Sequence, residues 1–202
     1  MSPSTPTPVS APADRFRRTA DGFAARLATV PADRWNAPSP CPGWSARDIA
    51  AHVINESRRI LATVHGTEPA LHGIAVAGMG GLPEFTPGAD PRAAWKEIAD
   101  GLTTAIDDPA CLRAEMPTFA GPMPFADIVE TLPEDVLIHT WDLARATGGD
   151  ERLDPEAVAH VHAHLKPMDE ALRQPWAFGP KTPVPPGADA QTAFLCFVGR
   201  RP

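Results

Sequence analysis

Proline placement constrains this chain more than any other feature. It has 25 prolines, and 11 of them cluster in the first 13 residues, the stretch Pro38–Pro42 and the run from Pro180 to Pro186. Proline fixes φ and lacks an amide proton, so it belongs in connections and first turns rather than helix interiors. The segments between these clusters are left free to coil, and apolar residues recur in them at helical spacing. Phe16, Ala20, Phe23, Leu27 and Val30 predict a helix over about 13–30. Ser45 with Asp48 makes a capping-box-like start, after which Ile49, His52, Val53, Glu56 and Ile60 share one side.

A third helix is expected from Pro91, with Trp95, Ile98, Leu102 and Ile106 inward. A fourth runs from about Phe125 to Thr147, kinked or interrupted at Pro133 and ended by Gly148-Gly149. A fifth opens on Asp154-Pro155-Glu156 (a cap, a first-turn proline and an acid) and runs to about Leu172, with Pro167 a second kink. A short closing helix follows over 190–198. No stretch alternates with period two, so the expected class is all-α, a helical bundle. Residues 1–11 hold Pro, Ser and Thr with little to bury and are expected to be a disordered tail. The remaining 12–202 are expected to form one domain, interrupted by a long Gly/Pro-rich connection over 66–90. The glycines from Gly73 to Gly81 do not make a nucleotide loop: Pro83 stands where a third glycine belongs, and no strand precedes them.

Composition excludes several classes of function. The formal charge is −7 and no basic run is present. Broad nucleic-acid binding and docking on anionic membranes are therefore disfavoured. No apolar stretch approaches the roughly 20 residues that span a bilayer, and the N-terminus lacks the basic-then-apolar order of a secretory signal. Cys41, Cys111 and Cys196 are odd in number and irregular in spacing, so they form neither a disulfide framework nor a zinc ribbon. The expectation is a cytoplasmic protein, monomer or homodimer, acting on small molecules.

Two helical faces carry the chemistry. Residues four apart on a helix lie within about 40° of each other and about 6 Å along the axis. Asp135 and His139 can therefore grip one ion from a single helix, and His52 can complete the set from another. Three imidazole and carboxylate ligands with an open position are the pattern of a catalytic metal site. The competing reading makes both histidines hydrogen-bonded core residues, with Asp135 paired to a nearby base. Glu134 points about 100° away from Asp135. Glu56, one turn after His52, is a candidate general base. Asp142 is spaced to pair with Arg145 and able to orient an imidazole. Trp44 and Trp141 read as packing residues, and Cys41 as inert, with no histidine adjacent in sequence. In His160-Val-His162-Ala-His164 only the outer two share a face, so three-fold ligation from one regular helix fails.

A resemblance bears on these residues. The segment Trp35-x-x-Pro38-Ser-Pro-Cys41-Pro-Gly-Trp44-Ser-x-x-Asp48-x-x-x-His52-Val53 resembles the opening signature of the mycothiol-dependent maleylpyruvate isomerase family. The later His139-Thr-Trp141-Asp142-Leu-Ala-Arg145-Ala-Thr-Gly148 resembles its second signature, and the stretch from Val184 through Arg200 resembles the close of its short, single-domain members. The resemblance implies a DinB-like four-helix bundle with short additional helices. It also implies a divalent metal held by His52, Asp135 and His139: Zn2+ first, with Ni2+ or Fe2+ as alternatives. Asp135 stands where the isomerase itself often carries glutamate. Mycothiol as cosubstrate follows from the resemblance alone, as does an isomerase or S-transferase acting on an electrophile. A non-enzymatic binding or interaction module with a vestigial or structural metal is the alternative function.

Overall fold

The computed structural model describes residues 10–68, 84–85, 90–118, 121–174 and 177–202. Most of the expected tail, most of the 66–90 connection and the whole Gly73–Gly81 stretch lie outside them. Helix α1 spans Ala11–Thr29; its cap is Ser10, whose hydroxyl accepts from the Ala13 amide. Helix α2 spans Ala46–Val64 with a complete capping box: Ser45 Oγ accepts from Asp48 N, and Asp48 Oδ2 accepts from Ser45 N at 2.8 Å. The cap fixes where α2 begins and hence the height of His52. Replacing Ser45 by Ala is expected to cost about 1 kcal/mol, the usual value of a lost side-chain cap, read as a lower urea midpoint with unchanged slope.

Helix α3 spans Pro91–Asp107, capped by Asp90. The expected fourth helix is broken where Pro133 predicted an interruption. A short α4, Phe125–Ile128, passes into a 3-10 turn over Val129–Thr131, and α5 then spans Leu132–Thr147. Pro133 falls in the first turn of α5, where its missing amide proton costs no hydrogen bond. Asp135 is thereby placed one turn inside a helix N-terminus, a favourable position for a carboxylate. Gly148 ends α5 in the left-handed conformation at φ 74°. Helix α6 spans Pro155–Leu165 and stops sooner than expected, passing into a 3-10 turn at Lys166–Met168 that contains Pro167. Helix α7 spans Ala190–Phe197.

One element was not expected. Strands β1, Glu115–Thr118, and β2, Gly121–Pro124, pair antiparallel with Glu115 opposite Pro124. Four-residue strands containing Pro117, Pro122 and Pro124 show no period-two sequence pattern; backbone pairing, a bond from Thr118 Oγ1 to Gly121 O at 2.6 Å and the burial of Met116 in the core hold the hairpin.

The bundle is α1, α2, α3 and α5. Helix α1 packs on α3 and α5, and α2 packs on the same two, so the four close a ring around one core. Phe16, Phe23, Leu27, Ile49, Val53, Trp95, Leu102 and Leu143 fill it. Trp95 sits edge-on to Phe23 with centroids 4.9 Å apart, and its indole donates to Ala20 O at 3.0 Å. This is the all-α bundle that the helical spacing predicts, in the DinB-like form that the resemblance implies. Helices α6 and α7 cover the outer face of α5, where Leu137, Ile138 and Trp141 join Val158, Val161, Phe194 and Val198 in a second apolar cluster. Covered on both sides, α5 is buried nearly all round, as a central helix must be. No helix among the described residues is long and apolar enough to cross a membrane.

Candidate metal centre

Helices α2 and α5 lie side by side in the ring, and each turns one imidazole toward the other. His52 and His139 are each 8% exposed, with ring centroids 5.0 Å apart and planes nearly perpendicular. Asp135 reaches both. Its Oδ2 is 3.1 Å from His52 Nε2, and its Oδ1 is 3.3 Å from His139 Nε2. A ligand atom from each of the three residues lies within 4.8 Å of the other two. Ligands bound at about 2.0–2.1 Å to a tetrahedral ion sit about 3.3 Å apart. Asp135 Oδ1, 3.4 Å from His52 Nε2 and 3.3 Å from His139 Nε2, stands at that spacing from both imidazoles, and the donors are the nitrogen and oxygen types that Zn2+ takes. The three residues therefore fit a divalent ion.

Electrostatics agree with the geometry. Burial works against the Asp135 carboxylate, but the two imidazoles outweigh it and hold its pKa well below the usual range. Burial likewise opposes the charged form of His139, yet Asp135 and Asp142 raise its pKa well above the ordinary imidazole value. A site that draws a proton this strongly is one where positive charge is welcome.

Asp142 does orient an imidazole: its Oδ2 lies 2.9 Å from His139 Nδ1. That contact turns Nε2 toward Asp135, the arrangement by which carboxylates fix a ligating histidine. The pairing of Asp142 with Arg145 is corrected, however. Asp142 is fully buried, and its partner is Arg200, which donates from Nε to Oδ1 at 3.0 Å and from Nη2 to Oδ2 at 2.6 Å. Arg145 instead pairs with Glu151 and covers the Trp141 ring at 4.9 Å. The α5 face carrying Asp142 is the one Arg200 covers, so residue spacing alone named the wrong base. Burial would raise the Asp142 pKa, but Arg200 and His139 bring it down to about 2.

Cys41 also belongs to this neighbourhood, which its sequence surroundings did not indicate. Its thiol lies 3.5 Å from Asp142 Oδ2 and accepts from Arg200 Nη2 at 3.4 Å. Cys41, His139 and Asp142 form a second group with metal-ligand atoms close together. Arg200 already supplies the cation there, so a metal ion would be repelled rather than held.

Trp44 packs, as expected, but on the ligands themselves. Its ring centroid is 5.0 Å from that of His52 and 6.3 Å from that of His139, nearly parallel to the latter. The tight loop before α2 aims it: Gly43 takes φ 81°, and Ser39 N donates to Trp44 O at 2.9 Å. Trp141 is buried in the cluster beneath α6 and α7.

These groups open on a cleft of about 1270 Å³ between the bundle and the segment following α6. Glu56 lines it too, with Oε2 bonded to Arg59 at 2.7 Å. Glu56 Oε1 is closed to solvent and has no hydrogen-bond partner among the described residues. The α6 histidines stand apart from the centre: His160 faces Glu130, His164 faces Glu134, and His162 lies against Phe194 and Phe197.

Comparison with known proteins agrees with this architecture. The family model described as the mycothiol maleylpyruvate isomerase N-terminal domain matches residues 16–144. Two curated relatives, the uncharacterized proteins MT0763 and Rv0738 from two strains of Mycobacterium tuberculosis, are each 30% identical over 187 residues. Each match spans 89% of this chain and 93% of the relative. Among solved structures, a mycothiol-dependent maleylpyruvate isomerase superposes with TM-score 0.54 at 15% identity, over 79% of this chain and 70% of that one. A mutant of that enzyme gives TM-score 0.56 at 13% identity, over 82% and 73%. The fold is shared with both. With its bundle core and both histidine-bearing helices inside the matched region, this chain belongs to the mycothiol maleylpyruvate isomerase N-terminal domain family.

Proposed function

We propose that this protein is a divalent-metal enzyme that uses a small-molecule thiol, mycothiol by family, either to isomerise an electrophilic small molecule or to join that molecule to the thiol sulfur. The observation that carries the reading is the convergence of His52, Asp135 and His139 at ligand spacing on the wall of a large cleft. A divalent ion held there, Zn2+ by donor chemistry with Ni2+ or Fe2+ as alternatives, would supply a Lewis acid that favours the thiolate over the thiol. The protein's own groups do the rest. Asp142 holds His139 in one tautomer, and Arg200 keeps Asp142 ionised. Trp44 shields both imidazoles from water. Glu56, with one oxygen uncommitted, is assigned as the acceptor of the thiol proton. The thiolate then adds reversibly to an electrophilic carbon, permitting rotation about a double bond, or displaces a leaving group from it.

The test is metal content of untagged protein by mass spectrometry, together with calorimetric titration of mycothiol before and after chelation. One equivalent of metal is expected, with thiol binding lost on chelation and restored by Zn2+. Thiol binding indifferent to chelation would overturn the role of the metal. Turnover with no thiol present would move the reading to hydrolysis.

A further inference from the structure

The cleft beside the metal centre has two ends of opposite chemistry, and helix direction decides which residues stand at each. Arg15 of α1 pairs with Glu130, just before α5, and Ser10 N donates to Asp107 Oδ1 at 3.3 Å. The start of α1, the end of α3 and the start of α5 therefore share one end of the bundle. At the other end Arg26 Nε donates to Asp150 O at 3.0 Å. Helix α2 runs back from that second end, with Leu61 lying against Gly101 of α3 near the first. Moving along α2 from His52 toward Ile60 and along α5 from His139 toward Leu132 thus leads the same way.

In that direction the cleft is lined by Ile60, Leu132 and Val136, with Phe16 and Leu102, each at most 1% exposed, as its floor. Ser57 and Thr131 add neutral hydroxyls. Among the described residues no Lys or Arg lines this end, and its charged groups are the carboxylates of Glu56, Glu134 and Asp135. Arg59, which does not line the cleft, holds Glu56 Oε2 at 2.7 Å, while Oε1 is closed to solvent with no partner among the described residues. The cations of the lining stand at the opposite end. Arg200 bonds Asp142 and Cys41 there, Arg145 Nη2 donates to Arg201 O at 3.1 Å, and Thr182 Oγ1, next to Lys181, donates to Arg200 O at 2.5 Å. An anion entering the bundle end would give up its water and meet only apolar walls and like charge.

We infer that the bundle end of the cleft receives the electrophile, and that this electrophile is an uncharged, largely apolar molecule rather than a carboxylate. The polar body of the thiol then lies among the loops at the cationic end. The inference rests on the proposed function for the place of the sulfur, at the metal between the two ends. A thiolate and Asp135 together balance a divalent ion, so no surplus positive charge is left to draw an anionic electrophile inward. Apolar walls with few polar groups select by shape and by loss of water, and a carboxylate has no partner there to replace its hydration.

Calorimetric titration of untagged protein with methyl 4-methyl-3-nitrobenzoate and with 4-methyl-3-nitrobenzoate tests this. The two share one ring and differ in charge, and neither carries a leaving group, so binding is read without turnover. Metal content is measured on the same samples, and circular dichroism confirms that each variant is folded. The ester is expected to bind at least tenfold more tightly than the carboxylate. Ile60→Trp, which fills the bundle end from its partly exposed wall, should weaken the ester at least tenfold with metal content unchanged. Glu56→Gln should narrow the preference at least threefold by removing the like charge. A carboxylate bound as tightly as the ester overturns the inference, as does an ester that fails to bind or that binds Ile60→Trp and wild type alike. Metal-free protein that keeps the preference would leave the apolar end standing and remove the metal from the proposed function. Metal-loaded protein that binds thiol but lacks the preference does the reverse.

Discussion

If the proposed function holds, replacing His139 by Ala is expected to abolish metal binding and lower turnover on the order of a thousandfold, the several kcal/mol that a Lewis acid contributes to a transition state. His139 is the junction of the site. Its Nε2 faces Asp135 and its Nδ1 faces Asp142, so no other side chain can take its place. The fold should survive. Asp142 keeps its two bonds from Arg200, and Asp135 keeps His52, so no carboxylate is left without a partner. Metal content, thiol-dependent turnover and the urea midpoint should be read on one preparation. Metal and activity should fall together, while the midpoint of the variant should differ little from that of metal-free wild type, since a bound ion adds its own linked stability. His52→Ala should behave alike, because it supplies the remaining imidazole from α2. Full activity in a metal-free His139→Ala protein would refute the mechanism.

Arg200→Ala is expected to act in the opposite order, on stability first. Asp142 is fully buried, the Arg200 side chain is 12% exposed, and two charge-assisted bonds join them. Removing one partner of a buried pair leaves an uncompensated charge and costs about 3–5 kcal/mol. That is a large part of the roughly 5–15 kcal/mol that holds a domain folded. His139 remains as a partner for Asp142, which places the expectation at the lower end of the range. Denaturant unfolding of metal-free protein measures it. Arg200→Lys should recover only part of the loss, since an ammonium cannot reproduce the two-pronged contact. Metal affinity should also fall, by about 10–100-fold, because Asp142 would no longer hold His139 in one orientation. A metal-free midpoint unchanged in Arg200→Ala would show that the pair is structurally neutral.

Much of the architecture was legible because it is local. The capping box at Ser45, the first-turn prolines at Pro91 and Pro155, and Gly148 after α5 each act within one helical turn, and each stands where the sequence put it. Pro133 marked the break before α5 for the same reason. The β1–β2 hairpin was not legible, since its pairing lies between backbone groups and its side chains carry no alternation. The extent of α6 was overestimated, because helical spacing continued past Pro167 while the backbone there tightened into a 3-10 turn.

The ligand set divides along the same line. Sequence by itself determined that Asp135 and His139 share a face, because four residues make nearly one turn, and that His52 lies on the apolar side of α2. Only the tertiary structure decided that the two faces meet, and that Asp142 takes Arg200 rather than Arg145. It also brought Cys41, with no histidine near it in sequence, beside His139. Arg200 is 58 residues from Asp142 and Cys41 is 101 residues from it, and no local signal spans such separations. Periodicity fixes the direction of a side chain around its own helix. Which charge it then faces depends on how the helices pack, and that is set by the apolar core of the whole chain.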